Sequence, residues 1–186
     1  MVRPVLFAGA VFFLAGPPVA AQVAIELTAG PTFPVGTYGI TQTGWMVRGH
    51  LEVPVQRGLS ALVGGFYDAN RYRQPDYIDP YTGKPIDYLF KLSGPAVGLL
   101  YRPGNPDRPG LFVFWEGAWL TRTGSGSSDK RIGYFGGAGV AVPLSRRVDL
   151  RVTGSYFATL FDTDNSVVGI LAGGRIGLSG GRIEAR

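Results

Sequence analysis

From Trp45 to Val55 the chain alternates with a period of two. Trp45, Val47, Gly49, Leu51, Val53 and Val55 carry no charge, and between them stand Met46, Arg48, His50, Glu52 and Pro54. A two-residue period is the mark of a β-strand with two chemically different faces. The division recurs in segments expected near 22–30, 44–55, 58–68, 88–101, 110–122, 130–142, 147–160 and 166–178. The breaks between them are rich in Gly, Pro, Asn and Asp, which supply turns. No helical period appears after residue 22. Eight two-faced strands confine the chain to an all-β fold.

One face of each segment can be written without a charge, in the sixth from Ile132 onward. In the first it holds Ile25 and Leu27; in the third, Val63 and Tyr67; in the fifth, Val113, Trp115 and Trp119. In the fourth it reads Phe90, Leu92, Gly94, Ala96, Gly98 and Leu100, which puts Lys91 on the opposite face. That opposite face also takes Glu26, Arg48, His50, Glu52, Glu116, Asp149, Arg151 and Arg175, with Ser and Thr hydroxyls and bulky apolar groups such as Phe66, Phe112, Phe114 and Phe157. The fifth segment is the least decided, because both of its faces are largely apolar. Alternation alone does not say which face looks outward.

The connections supply that direction. Those at 31–43, 69–87 and 123–129 are long, and those near 56–57, 103–109 and 145–146 are shorter. Trp45, Tyr67, Trp119, Tyr134 and Tyr156 fall toward the long-loop end of their strands. Long loops on one side, short turns on the other and aromatics grouped at one end fit an up-and-down barrel whose apolar face meets lipid. A Lys or Arg on that face at mid-bilayer costs on the order of 2–4 kcal/mol, so a charge-free face is expected there.

The 186 residues are sized for a single domain, and the chain has no Cys. That excludes disulfides, thiolate catalysis and Cys-bound metal. Residues 1–21 read as a secretory signal peptide. Arg3 gives the positive start, Val5 to Ala15 the apolar run, Gly16-Pro17-Pro18 the break and Val19-Ala20-Ala21 the cleavage site. The mature barrel domain is then 22–186, exported to the outer membrane. Losing Arg3 takes the formal charge from +5 to +4. Such a charge is a weak pull toward anionic lipid, and no nucleic-acid partner is expected.

At this level the chain resembles the small outer-membrane β-barrel domain family, the group of OmpA transmembrane domains and OmpX. The resemblance covers nearly all of Gln22 to Leu178 and rests on strand number, alternation and loop asymmetry, with family flavour in Leu99-Leu100-Tyr101-Arg102-Pro103 and Val140-Ala141-Val142-Pro143-Leu144. It implies an eight-stranded antiparallel barrel, a lumen filled by charged side chains, and partners in outer-membrane lipid and the barrel-assembly machinery. One departure stands out. Barrels of the family finish on an aromatic residue that the machinery reads, whereas here the eighth strand is followed by Ser179 to Arg186.

Candidate site residues follow from the inward face. Glu26, Glu52, Arg151 and Arg175 are expected as a charge cluster near the periplasmic end. Closure of the first strand on the eighth brings Glu26 toward Arg175. Buried charges require partners, so this cluster reads as a salt-bridged plug rather than a gate. Arg48, His50, Lys91 and Glu116 are further expected lumen charges. His50 is the sole histidine, with no nucleophile beside it in sequence, and one His without Cys leaves no ordinary zinc site. No cofactor is expected. The 69–87 loop holds Arg71, Tyr72, Arg73, Tyr77 and Tyr81, residue types favoured in binding surfaces, and is the candidate for an external ligand. Asp162 to Asn165 reads as a turn.

An eight-stranded barrel is just wide enough to be filled by its own side chains. The leading expectation is therefore a non-enzymatic envelope protein with a structural or adhesive role through its external loops. The alternatives are a lipid-modifying barrel enzyme with Phe66, Phe112, Phe114 and Phe157 lining an acyl slot, and a soluble periplasmic barrel binding an apolar ligand as lipocalins do.

Overall fold

In a computed structural model of the protein the described residues are 23–35, 42–81, 83–124, 127–160 and 162–178. The expected signal segment and the tail after Leu178 lie outside them. The strands are β1 (Ala24–Val35), β2 (Gly44–Gln56), β3 (Leu59–Ile78), β4 (Pro85–Tyr101), β5 (Gly110–Gly124), β6 (Ser127–Pro143), β7 (Val148–Thr159) and β8 (Asp162–Gly177). Each pairs with its sequence neighbour, and β1 closes on β8. All ladders are antiparallel, and Glu26 stands opposite Arg175 in the closing one. Closure leaves no strand edge around the wall.

Exposure settles which face looks out. Leu27, Trp45, Val113, Trp115, Trp119 and Ile170 are exposed, while Phe112, Phe135, Phe157, Leu171 and Arg151 are buried. On every strand but β4, the expected charge-free side is the outside of the barrel. Tyr67 and Tyr156 join Trp45 and Trp119 as exposed aromatics at the long-loop end.

On β4 the expected faces are inverted. Leu92, Ala96 and Leu100 are buried in the lumen, whereas Val97, Leu99 and Tyr101 are exposed. Lys91 pairs with Ala69 and Thr123 on the outward side, so it is not a lumen charge. The sequence reading let this one charge set the parity of the strand. Lys91 sits at the long-loop end, beyond the apolar belt, where an outward charge costs little.

The long connections are mostly strand. β3 runs 20 residues and β4 runs 17. Their ladder continues past the rim to Gln74 opposite Ile86, slips between Gln74 and Ile78, and resumes with Ile78 opposite Pro85. Pro75 falls in the slip, where a residue without an N–H removes no ladder bond. The expected 69–87 loop is therefore a projecting hairpin whose tip is only 79–84, with Gly83 at φ 64°. Likewise β5 and β6 pair up to Gly124 opposite Ser127. Asp162 to Asn165 belongs to β8 rather than to a turn. At the other end the β2–β3 connection is tight, and Gly58 takes the left-handed φ of 79° that it needs.

The lumen is packed at its middle by aromatic rings. Phe135 lies edge-on to Phe66 at 4.6 Å between centroids and tilted against Phe157 at 4.6 Å. The inner face of β6 supplies room for the rings. A Cβ on Gly139 would come within 2.5 Å of the Phe112 ring, and one on Gly137 within 2.6 Å of Phe114. Glycine there lets large rings fill a narrow barrel without strain.

Candidate functional site: the lumen and the external hairpin

At the short-turn end Arg151 lies at the centre of an ionic network. Its Nη1 donates to Glu26 Oε2, and its Nη2 donates to Glu52 Oε2 at 2.9 Å. Arg175 Nε donates to the same Glu52 oxygen at 2.9 Å, and its Nη1 stands 3.6 Å from Asp149 Oδ2. Arg102 Nη1 closes the set on Asp149 at 3.1 Å. Ser60 Oγ donates to Glu52 Oε1 at 3.1 Å. Arg102, Arg151 and Arg175 thus meet Glu26, Glu52 and Asp149, and the formal charges cancel. The pairing inside the cluster differs from expectation. Glu26 and Arg175 are register partners in the closing ladder, but Glu26 bonds to Arg151, and Arg175 is shared by Glu52 and Asp149.

Sequence reasoning missed Arg102. It follows Tyr101 on the inner parity of β4, so the inversion that misplaced Lys91 also hid Arg102. Its guanidinium additionally donates to the carbonyls of Pro106 and Arg108, both at 3.0 Å, and so ties the β4–β5 turn to the plug.

Midway up, Arg48 Nη2 donates to Glu116 Oε1 at 2.8 Å. His50 Nε2 lies 3.2 Å from the same oxygen, at ion-pair distance without hydrogen-bond alignment. The Arg48 guanidinium sits 4.4 Å from the Phe114 centroid and 5.2 Å from that of Phe135, so the charge is also held over aromatic faces. Both Arg48 and Glu116 are buried. Among the described residues no three His, Cys, Asp or Glu side chains converge as metal ligands. The arrangement ties strands together across the lumen. Its carboxylates face guanidiniums rather than a nucleophile.

Near the external mouth Thr32 Oγ1 lies 2.9 Å from Asp68 Oδ1 and 3.3 Å from Asn70 Oδ1, and Asn70 Nδ2 donates to Asp68. These residues were also missed, because the sequence stretch holding Asn70 read as loop. Across the mouth Arg122 and Arg131 both bond Asp129, at 2.9 Å and 2.7 Å. Partial desolvation pushes the Asp129 carboxyl up, but the hydrogen bonds and charges of Arg131 and Arg122 outweigh it and hold the group below its ordinary range.

On the projecting hairpin Arg71 grips Asp87 with two bonds of 2.7 Å, the fork geometry of a bidentate pair. Tyr81, at the tip, is 97% exposed. The side chains of Tyr72, Arg73 and Tyr77 lie outside the described residues. Their backbones are strand, with Tyr72 opposite Tyr88 and Arg73 opposite Asp87.

No protein-family model matches the chain, and no curated protein matches it by sequence. Solved structures do match it by fold. Neisserial surface protein A superposes with a TM-score of 0.65 at 15% identity, covering 86% of this chain and all 100% of that one. A major outer membrane protein from Thermus thermophilus superposes with a TM-score of 0.55 at 14% identity, again over 86% of this chain and 100% of that one. At such identities the likeness speaks for the fold alone, and that fold is the small eight-stranded barrel of outer-membrane proteins.

Proposed function

We propose that the chain is an integral outer-membrane barrel that works through its external face, with a lumen closed to large solutes and no catalytic task. The observation that carries this reading is the pairing of an exposed apolar belt with a charge-balanced, ion-paired lumen. A soluble barrel needs the reverse: apolar inside and polar outside. The β3–β4 hairpin is the element offered to an external partner. It is a stiff ladder rather than a floppy loop, clamped by Arg71 and Asp87, and it carries Tyr81 at its tip. A preformed surface loses little freedom on binding, which favours recognition. Lipid surrounds the belt, and the assembly machinery inserts it. Of the phenylalanines that an acyl slot would require, Phe66 and Phe157 pack on each other and on Phe135, while Phe112 and Phe114 lie against the guanidiniums of Arg151 and Arg48, which weighs against the lipid-modifying alternative.

The test is membrane fractionation followed by gel mobility with and without boiling. The expected result is an outer-membrane protein that migrates faster unboiled, as a folded barrel does. Recovery in the soluble periplasmic fraction would overturn the reading. Planar-bilayer recordings are expected to show no steady conductance of pore size.

A further inference from the structure

The corrected parity of β4 leaves a feature that the lumen does not explain. Among the strand residues whose side chains are described, four charged side chains lie on the outward sheet face: Arg71, Asp87, Lys91 and Lys130. Arg71 and Asp87 neutralise each other on the hairpin. Lys91 and Lys130 make no ion pair with any described residue, and they face the same way on the two strands that flank β5.

Their register places them together. Lys91 stands opposite Thr123 of β5, and Lys130 stands opposite Thr121. Two inter-strand steps of about 4.8 Å and an offset of two residues put their Cα atoms about 12 Å apart. Lysine side chains reach about half that distance, so the two ammoniums can converge on one headgroup. Ser93, opposite Thr121, and Ser128, opposite Thr123, complete a patch of hydroxyls between and beside them. Directly below, Trp119 pairs with Ile132. These two, with Leu160, Lys130 and Arg131, line an outward cleft of about 450 Å³. Trp119 and Leu160 are both exposed. The patch thus has donors and positive charge above and an apolar slot below, at the depth where tryptophan marks a lipid–water boundary.

We infer that this face of β4, β5 and β6 is a binding site for a phosphate-bearing lipid of the leaflet on the hairpin side. Its headgroup sits between Lys91 and Lys130, and one acyl chain lies in the Trp119–Ile132–Leu160 cleft. A free anion would gain only the charges, whereas a lipid gains the charges and the apolar wall together. A zwitterionic headgroup would bring its own cation against the lysines. The inference rests on the membrane reading above.

The experiment is native mass spectrometry of the full-length mature barrel, released from micelles containing equal amounts of phosphatidic acid and phosphatidylcholine. Each variant is first checked for heat-modifiable mobility, which reports the barrel independently of lipid choice. The wild type is expected to retain phosphatidic acid over phosphatidylcholine by about thirtyfold, the scale of two lysines at an anionic surface. Lys91→Gln with Lys130→Gln is expected to fall to near parity, and each single change to an intermediate preference. Lys91→Arg with Lys130→Arg keeps the preference, because charge and reach are retained. Arg146→Gln with Arg147→Gln, at the opposite end of the barrel, also keeps it. Inorganic phosphate at 10 mM, roughly the level that saturates weak anion sites, leaves the bound lipid in place. The inference is overturned if the Gln pair keeps the preference, if the Arg pair loses it as fully as the Gln pair, if the Arg146/Arg147 variant loses it, or if inorganic phosphate displaces the lipid.

Discussion

At the short-turn end of the lumen three arginines meet three carboxylates; at its middle the contacts are mostly between rings. The lower network spans β1, β2, β4, β7 and β8 through a handful of bonds, and removing any one member strands a charge. The middle is a set of overlapping van der Waals contacts among Phe66, Phe112, Phe114, Phe135 and Phe157, with one ion pair, Arg48 to Glu116, laid against the rings. The two regions respond differently to damage. A packed aromatic layer can partly close over a deletion, whereas an unpaired buried charge has no local remedy. The floor therefore fixes which strands meet, and the middle fills the space that closure leaves.

The sharpest way to break this comparison is Arg151→Ala. It leaves Glu26 and Glu52 facing each other without their shared cation. The expected loss is about 3–5 kcal/mol of unfolding free energy, measured by urea unfolding from detergent or bilayers. A loss near zero would mean that water already solvates the floor and that the network holds nothing together. A double-mutant cycle sharpens the same point. Coupling between Glu26 and Arg151 is expected at about 1–3 kcal/mol, and coupling between Glu26 and Arg175 is expected to be smaller, because the latter two share a register and not a bond. The reverse order would restore the pairing that strand closure alone suggests.

Phe135→Ala tests the middle. Phe135 is fully buried between Phe66 and Phe157, and about 3 kcal/mol is expected, at the low end for such a change because both neighbours can move in. If this exceeded the Arg151→Ala loss, packing rather than pairing would be the principal tie. Gly139→Ala probes the same layer from the backbone side. The added methyl meets the Phe112 ring and the Val152 carbonyl, both at 2.5 Å, and the carbonyl cannot swing aside. Overpacking of about 1–3 kcal/mol is expected by the same assay, and an unchanged midpoint would show that the β6–β7 ladder yields more easily than its spacing implies.

How much of this was legible in the sequence depends on depth. Strand number, closure and the faces of seven strands follow from alternation, because within the hydrocarbon an outward charge is too costly and each charge declares the inward side. β4 failed for the same physical reason. The only charge in its expected 88–101 span, Lys91, lies where that cost has vanished, and both faces below it are uncharged, so the parity had no reliable marker. Arg102, one residue past the strand, would have supplied it. The floor's membership was legible in Glu26, Glu52, Arg151 and Arg175, since they share parity and depth. The choice of partner within it was not. Side-chain length lets Arg151 reach across to Glu26 and Glu52, and register alone does not encode that reach. The hairpin was hidden by Pro75, Pro80 and Pro85, turn residues that here sit at a ladder slip, in the tip and at the first residue of a strand.

The smallest expected effect concerns the hairpin, which belongs to neither region of the lumen. If the floor and the middle hold the barrel, the projection above them should be energetically separate from it. Arg71 and Asp87 lie above the rim, and their side chains bond each other across the hairpin's own ladder. Their pair is solvated, and its strength falls with salt. Arg71→Ala should therefore leave the unfolding midpoint and the heat-modifiable mobility where they are. What it removes is the clamp that holds the two strands together beyond the wall, where among the described residues no neighbouring strand pairs with them. Limited proteolysis reads this directly. The wild-type hairpin should be cut slowly and only in the 79–84 tip, while Arg71→Ala should be cut faster and lower, toward Asn70 and Phe90. A shift in the unfolding midpoint comparable to that of Gly139→Ala would mean that the hairpin and the barrel wall fold as one cooperative unit. The division between a filled barrel and an independent external arm would then have to be given up.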